Sequence, residues 1–311
     1  MALLNFIRGR DTGKTGDADA PIPGLHATLA GYSIEVMPRT AAKIERFDAL
    51  LPAGTRVYVA HIDGTPIDDM VATAKRLTEE GFTVMPHVPA RVVADRAELD
   101  AWLARYAQEA GVSEALLLAG GVKAPRGEFH SSMQLMETGL FDRHGFKRLH
   151  VAGHPEGNRD IDPDGGTRAV DEALRWKQDF AERTGAEMAI VTQFAFEAGP
   201  ILEWAARIRA AGVTLPIHLG VAGPTKLQTL IKFAVACGVG PSIKVLQKRA
   251  MDARKLLTPF APDTLLTDIA AHQAATPDSP IAAIHVFPLG GIRASAEWMN
   301  RHGMVKAKAA A

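Results

Sequence analysis

Tyr32-Ser33-Ile34-Glu35-Val36-Met37-Pro38-Arg39-Thr40 reads as a short apolar strand that carries one carboxylate and ends at once in a Pro-Arg-Thr turn. The turn feeds a helix, with Thr40 as the expected N-cap. Strand, tight turn and helix start make one half of a β/α unit, and the rest of the chain repeats the pattern. Short β-prone runs at 33–37, 56–61, 82–88, 115–119, 148–152, 188–193, 216–221 and 282–287 alternate with longer helical stretches. Eight such runs are the number that closes a (β/α)8 TIM barrel. Strict strand–helix alternation argues against all-α and sandwich folds. A doubly wound open sheet is the alternative, weakened by the lack of a Gly-rich phosphate turn after the first strand.

The intervening stretches have helical period. Ile67, Met70, Val71, Ala74 and Leu77 share one face, as do Leu99, Trp102, Leu103, Tyr106 and Ala110. Thr65-Pro66-Ile67-Asp68 and Asp95-Arg96-Ala97-Glu98 look like capping boxes, the first with Pro at N1. The stretch 241–275 holds two further helical patterns, an insertion of extra helices before the last strand. Residues 1–24 are expected to be a flexible N-terminal arm, 25–303 a single barrel domain, and 304–311 a disordered Ala/Lys tail. Gly9-Arg10-Asp11-Thr12-Gly13-Lys14-Thr15 imitates a phosphate loop but is one residue short between its glycines, and neither follows a strand nor opens a helix.

Composition narrows the function classes. The chain has 311 residues, 47% hydrophobic, with 35 basic and 35 acidic side chains and a formal net charge of +0. That balance argues against a nucleic-acid binder, which usually carries a basic face. The single cysteine, Cys237, excludes an intramolecular disulfide and a cysteine-cluster metal site, and its apolar surroundings read as core. No segment has the apolar length of a membrane span, and no signal peptide is evident, so a cytoplasmic protein is expected.

In a barrel of this kind the C-terminal strand ends build the active site. They carry Glu35, His61, His87, Gly120 and Gly121, His154 with Glu156, Gln193 with Phe194 and Phe196, His218 and His285. An acid inside an apolar strand is costly to desolvate, so Glu35 is the candidate for moving a proton, with a raised pKa expected. The bland reading of Glu35 is a salt bridge to Arg39 or a rim lysine. Two chemistries could use the set. A metal-dependent hydrolase would take imidazoles as ligands, yet the chain lacks an H-x-H pair, an H-E-x-x-H motif and an Asp on strand eight. Redox or proton chemistry on a bound organic ligand needs fewer missing parts: histidines and glycines line a cofactor, and a glutamine reads an amide-like ring edge. Phe194 and Phe196 are expected to alternate in facing, so that only one lines the pocket, with Phe196 favoured.

Ile34-Glu35-Val36-Met37-Pro38-Arg39-Thr40 resembles the F-E-F-F-P-P-R-T strand of the methylenetetrahydrofolate reductase family. Pro86-His87-Val88 is similar to its P-H-L-T strand, and His154-Pro155-Glu156 to its Y-P-E turn. Ile190-Val191-Thr192-Gln193-Phe194-Ala195-Phe196-Glu197 is similar to its I-T-Q-F-F-F-D strand, and the segment 220–234 aligns with its stretch ending K-K-F-A. The motifs run in family order from about residue 33 to 298, nearly the whole barrel. The resemblance implies a (β/α)8 barrel that holds FAD and interconverts 5,10-methylene- and 5-methyltetrahydrofolate. Glu35 would be the general acid at N10, Gln193 the pterin reader, and Phe196 and Leu227 substrate contacts.

The departures bear on the cofactor. The family's R-G-D after strand four is Ala119-Gly120-Gly121 here, the Tyr of Y-P-E is His154, and the His two residues past that Glu is Asn158. Leu227 replaces a stacking aromatic, and Lys177 lies near but out of register with a family lysine. FAD would then sit in a remodelled site of His61, His87, Gly120, Gly121, His154, Glu156 and Asn158, and NAD(P)H is disfavoured as electron partner. A divergent enzyme working in the direction of methyltetrahydrofolate oxidation is the expectation. Its partner is a tetrahydrofolate, with no nucleic acid and no membrane, and the resemblance leaves room for a homo-oligomer. A folate-binding barrel without catalysis is the reading outside enzymology.

Overall fold

Residues two apart on a strand share a face, and that parity sorts every strand of this chain into an outer and an inner row. The computed structural model describes residues 21–236 and 259–303. The strands are β1 (Ser33–Val36), β2 (Arg56–Val59), β3 (Thr83–Pro89), β4 (Glu114–Leu118), β5 (Arg148–Gly153), β6 (Glu187–Ala195), β7 (Ile217–Ala222) and β8 (Ile281–Phe287). All pair in parallel in sequence order, and β8 returns to β1, so the sheet is a closed (β/α)8 TIM barrel and the open-sheet alternative falls. Outward residues such as Ile34, Val57, Val59, Val84, Val88, Leu117 and Val151 join the helices in one large apolar core. Inward, Tyr58, Met85, Leu116 and Val191 form a separate small cluster inside the barrel.

The helices, in chain order, are α1 (Leu25–Leu29), α2 (Pro38–Ala41), α3 (Ile67–Glu79), α4 (Arg96–Ala110), α5 (Ser132–Glu137), α6 (Leu140–Arg143), α7 (Arg168–Thr184), α8 (Ala198–Ala210), α9 (Leu227–Ala236), α10 (Asp263–Ala275) and α11 (Ile292–His302). The helix expected after β1 is a single turn. It starts at Pro38, not after Thr40, and Thr40 Oγ1 instead closes the turn by accepting from Met37 N–H at 3.1 Å and donating to Met37 O at 2.9 Å. The chain beyond it is held from outside. Arg76 on α3 donates to the carbonyls of Ala41, Ile44 and Glu45, and Glu80 accepts from Phe47 N–H. Those side chains supply the partners a helix would have found in itself.

The two expected capping boxes fare differently. Asp95 accepts from Glu98 N–H at 2.8 Å, and Glu98 reaches back to Ala94 N–H at 2.6 Å. At α3, Pro66 precedes the first helical residue and no side chain caps the end, so Thr65 is not the N-cap expected of it. Of the arm, residues 21–24 are described: Ile22 N–H donates to Nδ1 of His302 at 3.0 Å, which ties this part to α11. The rest of the arm with its phosphate-loop mimic, Cys237, the helical pattern up to residue 258 and the tail from 304 lie outside the described residues. Among the extra helices, α10 is described. No helix among the described residues is long and apolar enough to cross a membrane.

Candidate active site

Glu35 projects into the barrel from β1, with its side chain 19% exposed. Its carboxylate lies 3.2 Å from Nε2 of His87 on β3 and 3.9 Å from Nε2 of His285 on β8. Arg39 is exposed, and the pair expected of it with Glu35 is replaced by these two imidazoles. Both imidazole nitrogens are buried, and neither has a hydrogen bond of good geometry: the contacts to Glu35 have the distance of ion pairs without the alignment. Burial pushes the Glu35 carboxyl up, but the charge of His87 and the hydrogen-bonding reach of His285 and His87 outweigh it and hold the pKa at about 2. The raised value expected from an apolar strand is therefore corrected. The inner row around Glu35 is imidazole, not hydrocarbon, and Glu35 stands as a carboxylate. His285 itself is kept below its ordinary value by complete burial, even though Glu35 pulls the other way.

His218 and His285 were expected at the rim and lie within the barrel. His218 is the second residue of β7, and His285 pairs with Ser33 and Gly220 in the ladder and is fully buried. Ser33 and Tyr58 share the inner row with them, as does His150 on β5. Sequence reading passed over all three of these, although each stands two residues from another inward polar group: Glu35, Arg56 and Arg148 respectively.

Gln193 sits in an irregularity of β6, where the ladder to β7 shifts register between Val191 and Phe194. Bulges of this kind re-aim side chains and cluster near active sites. Thr192 fixes it by accepting from Gly220 N–H at 2.8 Å and donating to Gln193 O at 2.8 Å. A Cβ on Gly220 would lie 2.3 Å from Thr192 O, so only glycine admits this close approach. Gln193 hydrogen-bonds His154, which also takes a bond from the Asn158 amide at 3.5 Å. Burial and the nearby Lys177 ammonium lower His154 to about 4. Lys177, on α7, is itself buried, lowered to about 8, and donates to Ala152 O at 3.4 Å. Glu156, in the same turn, is also partnered.

Phe196 and Leu227 come together with Phe194, Leu230 and Phe260 in an apolar cluster over the ends of β6, β7 and β8. Phe194 and Phe196 meet edge-on at 5.7 Å, so both belong to the same wall. The expectation that they face apart is corrected, because residues two apart point the same way. His61 turns elsewhere. Its ring lies 5.1 Å from that of Trp102, Nε2 donates to Thr65 O at 3.0 Å, and it lines a cleft of about 470 Å³ with Asp63, Glu98 and Arg126. A second cleft, about 240 Å³, lies between α8 and the start of β8. Neither includes Glu35. Gly120 adopts a positive φ of 95°, and a Cβ there would meet Pro89 at 3.1 Å, whereas one on Gly121 would meet nothing within 4 Å.

Among the described residues, no three His, Cys, Asp or Glu side chains are grouped so as to hold a metal ion. No family model matches the chain. Among solved structures it is similar to 7,8-dihydropteroate synthase from Vibrio fischeri, at 11% identity and a TM-score of 0.42, over 89% of this chain and 92% of that one. It is also similar to the intracellular xylanase TsXylA of Thermoanaerobacterium saccharolyticum, at 12% identity and a TM-score of 0.41, over 86% and 89%. These distant likenesses go no further than the barrel, and the chemistry of the site rests on its own geometry.

Proposed function

We propose that this protein is an enzyme that acts on a reduced folate at the C-terminal mouth of its barrel, interconverting 5-methyl- and 5,10-methylenetetrahydrofolate. One observation carries the reading: a carboxylate lodged inside the barrel between two imidazoles whose facing nitrogens lack hydrogen bonds. Held ionised, such a carboxylate can take a proton from a ligand nitrogen that becomes positively charged during reaction. Its ionised state suits the oxidative direction. After the methyl carbon has given up a hydride, N10 adds to that carbon, the C–N bond of the five-membered ring forms, and the N10 proton passes to Glu35. In the reverse direction the same proton returns to N10. Gln193 supplies donor and acceptor groups of the kind a pterin edge needs. Phe196 and Leu227 belong to an apolar wall that would cover the rest of the ring system.

FAD is the cofactor that the resemblance implies, and the residues expected to hold it do not fit it as one surface. His61 is engaged by Thr65 and Trp102, Gly120 lies against Pro89, and His154 bonds both Asn158 and Gln193. His87 belongs to Glu35. No step is therefore routed through a flavin, and the hydride is assigned to an external two-electron acceptor. A single-turnover reaction of the purified protein with 5-methyltetrahydrofolate and an artificial acceptor should form the methylene product. An absorbance spectrum taken beforehand reports any flavin that is bound. Absence of methylene product would remove the proposal.

A further inference from the structure

Behind Glu35 the barrel holds a line of polar side chains that the reaction at the mouth does not touch. Nδ1 of His285 lies 3.0 Å from the Ser33 hydroxyl. The Tyr58 ring packs edge-on against that of His285 at 4.4 Å, and its hydroxyl must close on Ser33 to complete the line. The phenol oxygen in turn lies 2.5 Å from Nδ1 of His150. The rings of His150 and His218 then meet edge-on at 4.6 Å, and His218 is only half-buried. Ser33, Tyr58, His150 and His285 are almost wholly buried. Barrels of this type usually fill the same space with branched apolar residues, and buried polar groups without partners are costly. Two hydrogen-bonded pairs set side by side from β1, β2, β5 and β8 call for a reason beyond packing.

We propose that His285, Ser33, Tyr58 and His150 form a proton relay that carries the proton received by Glu35 down the barrel interior toward His218. The proposal rests on the reading of Glu35 as the proton acceptor. Each member can both donate and accept, so the line can be ordered in either sense. With the proton on Glu35, Nδ1–H of His285 donates to Ser33, Ser33 to Tyr58, and Tyr58 to Nδ1 of His150. Transfer breaks one O–H or N–H bond and makes one at each link. Glu35 gives its proton to Nε2 of His285, Nδ1 of His285 gives one to Ser33, Ser33 to Tyr58, and Tyr58 to His150. A carboxylate is left at the mouth and an imidazolium at His150, which passes its Nε2 proton to His218.

Burial, the other imidazoles, and the cations Arg56 and Arg148 keep His150 and His218 neutral at rest, so the proton is in transit there and not stored. The link from Glu35 to His285 spans 3.9 Å, and the two must close by about 1 Å for transfer to occur.

The test uses the full chain with its histidines labelled with 15N. Glu35→Gln should move the ring-nitrogen shifts of His150 in the otherwise intact chain, and leave them unmoved when Tyr58→Phe is also present. In repeated turnover with excess acceptor, Tyr58→Phe should lower the rate about tenfold while binding of 5-methyltetrahydrofolate is unchanged. If Tyr58→Phe does not fold, Ser33→Ala cuts the same line one link nearer the mouth and is held to the same outcomes. Wild-type turnover, or a His150 response that persists once the line is cut, overturns the relay. Full turnover in Glu35→Gln instead overturns the reading of Glu35, and the His150 shifts still decide whether the line is coupled.

Discussion

The two ends of the barrel interior are both polar, and they differ in how far their polar groups are satisfied. At the N-terminal end, Arg56 bonds Glu114 at 2.7 Å, and Arg148 bonds Glu187 at 2.7 Å while reaching Glu114 at 3.5 Å. Every charge there faces an opposite one. At the C-terminal end, Glu35 sits between His87 and His285, whose nearest nitrogens are buried without hydrogen bonds. Buried polar groups in folded proteins are nearly always paired, and the exceptions ask for an explanation. The paired end reads as a plug that closes the barrel. The unpaired end reads as a place where a ligand completes the bonding.

The largest expected effect breaks the unpaired end. Glu35→Gln should lower single-turnover oxidation of 5-methyltetrahydrofolate at least ~100-fold. Urea denaturation should show the variant still folded, since the amide keeps the size of the side chain it replaces. The matching change at the other end is Glu114→Ala, which leaves Arg56 facing no carboxylate in a largely enclosed position. It should cost about 3 kcal/mol in urea unfolding and leave turnover largely intact. Loss of turnover without loss of stability in Glu114→Ala would dissolve the distinction between the two ends.

How much of this was legible beforehand follows from parity. All eight strands were readable as runs, because outward positions such as Ile34, Val57 and Leu117 are apolar wherever they fall. The helix after β1 was misread because the segment that replaces it is stabilised by Arg76 and Glu80, some thirty residues on, and no local pattern carries that information. Glu35 was visible as a charge in an apolar strand. Its partners were not: His87 and His285 are brought to it by the register of a closed sheet. Its low pKa has the same origin, since the groups that set it stand on β3 and β8 and not beside it in sequence. Ser33, Tyr58 and His150 could have been found. Each shares the inward parity of a charged residue two positions away, and that parity is written in the sequence.

The third test separates the ends by pH. His154 and His218 are held down to about 4, chiefly by burial, against an ordinary value of 6.5. Below pH 6.5 the unfolded chain binds protons that the folded chain refuses. Their share of the stability is therefore complete above pH 6.5 and lost progressively as the pH falls toward 4, by about 1.4 kcal/mol per pH unit for each histidine. His150 and His285 are lowered in the same sense and add to the slope. The arginines of the plug do not titrate in this window. Urea midpoints followed across it should fall more gently in His154→Gln than in the parent chain, while a slope unchanged by that substitution would place the sensitivity elsewhere.

The smallest effect concerns how β1 presents its carboxylate. Thr40 holds the turn after Glu35 through both the N–H and the carbonyl of Met37. Valine has nearly the same shape and neither hydrogen bond, so Thr40→Val removes the bonding with little change in packing. The loss should be about 1 kcal/mol in unfolding free energy, the usual worth of a bond of this kind at a helix start. Glu35 itself is held by the strand ladder, through its pairing with Tyr58, and not by the turn. Turnover should therefore change far less than stability. A drop in rate comparable to that of Glu35→Gln would instead mean that the Pro-Arg-Thr turn sets the position of the carboxylate.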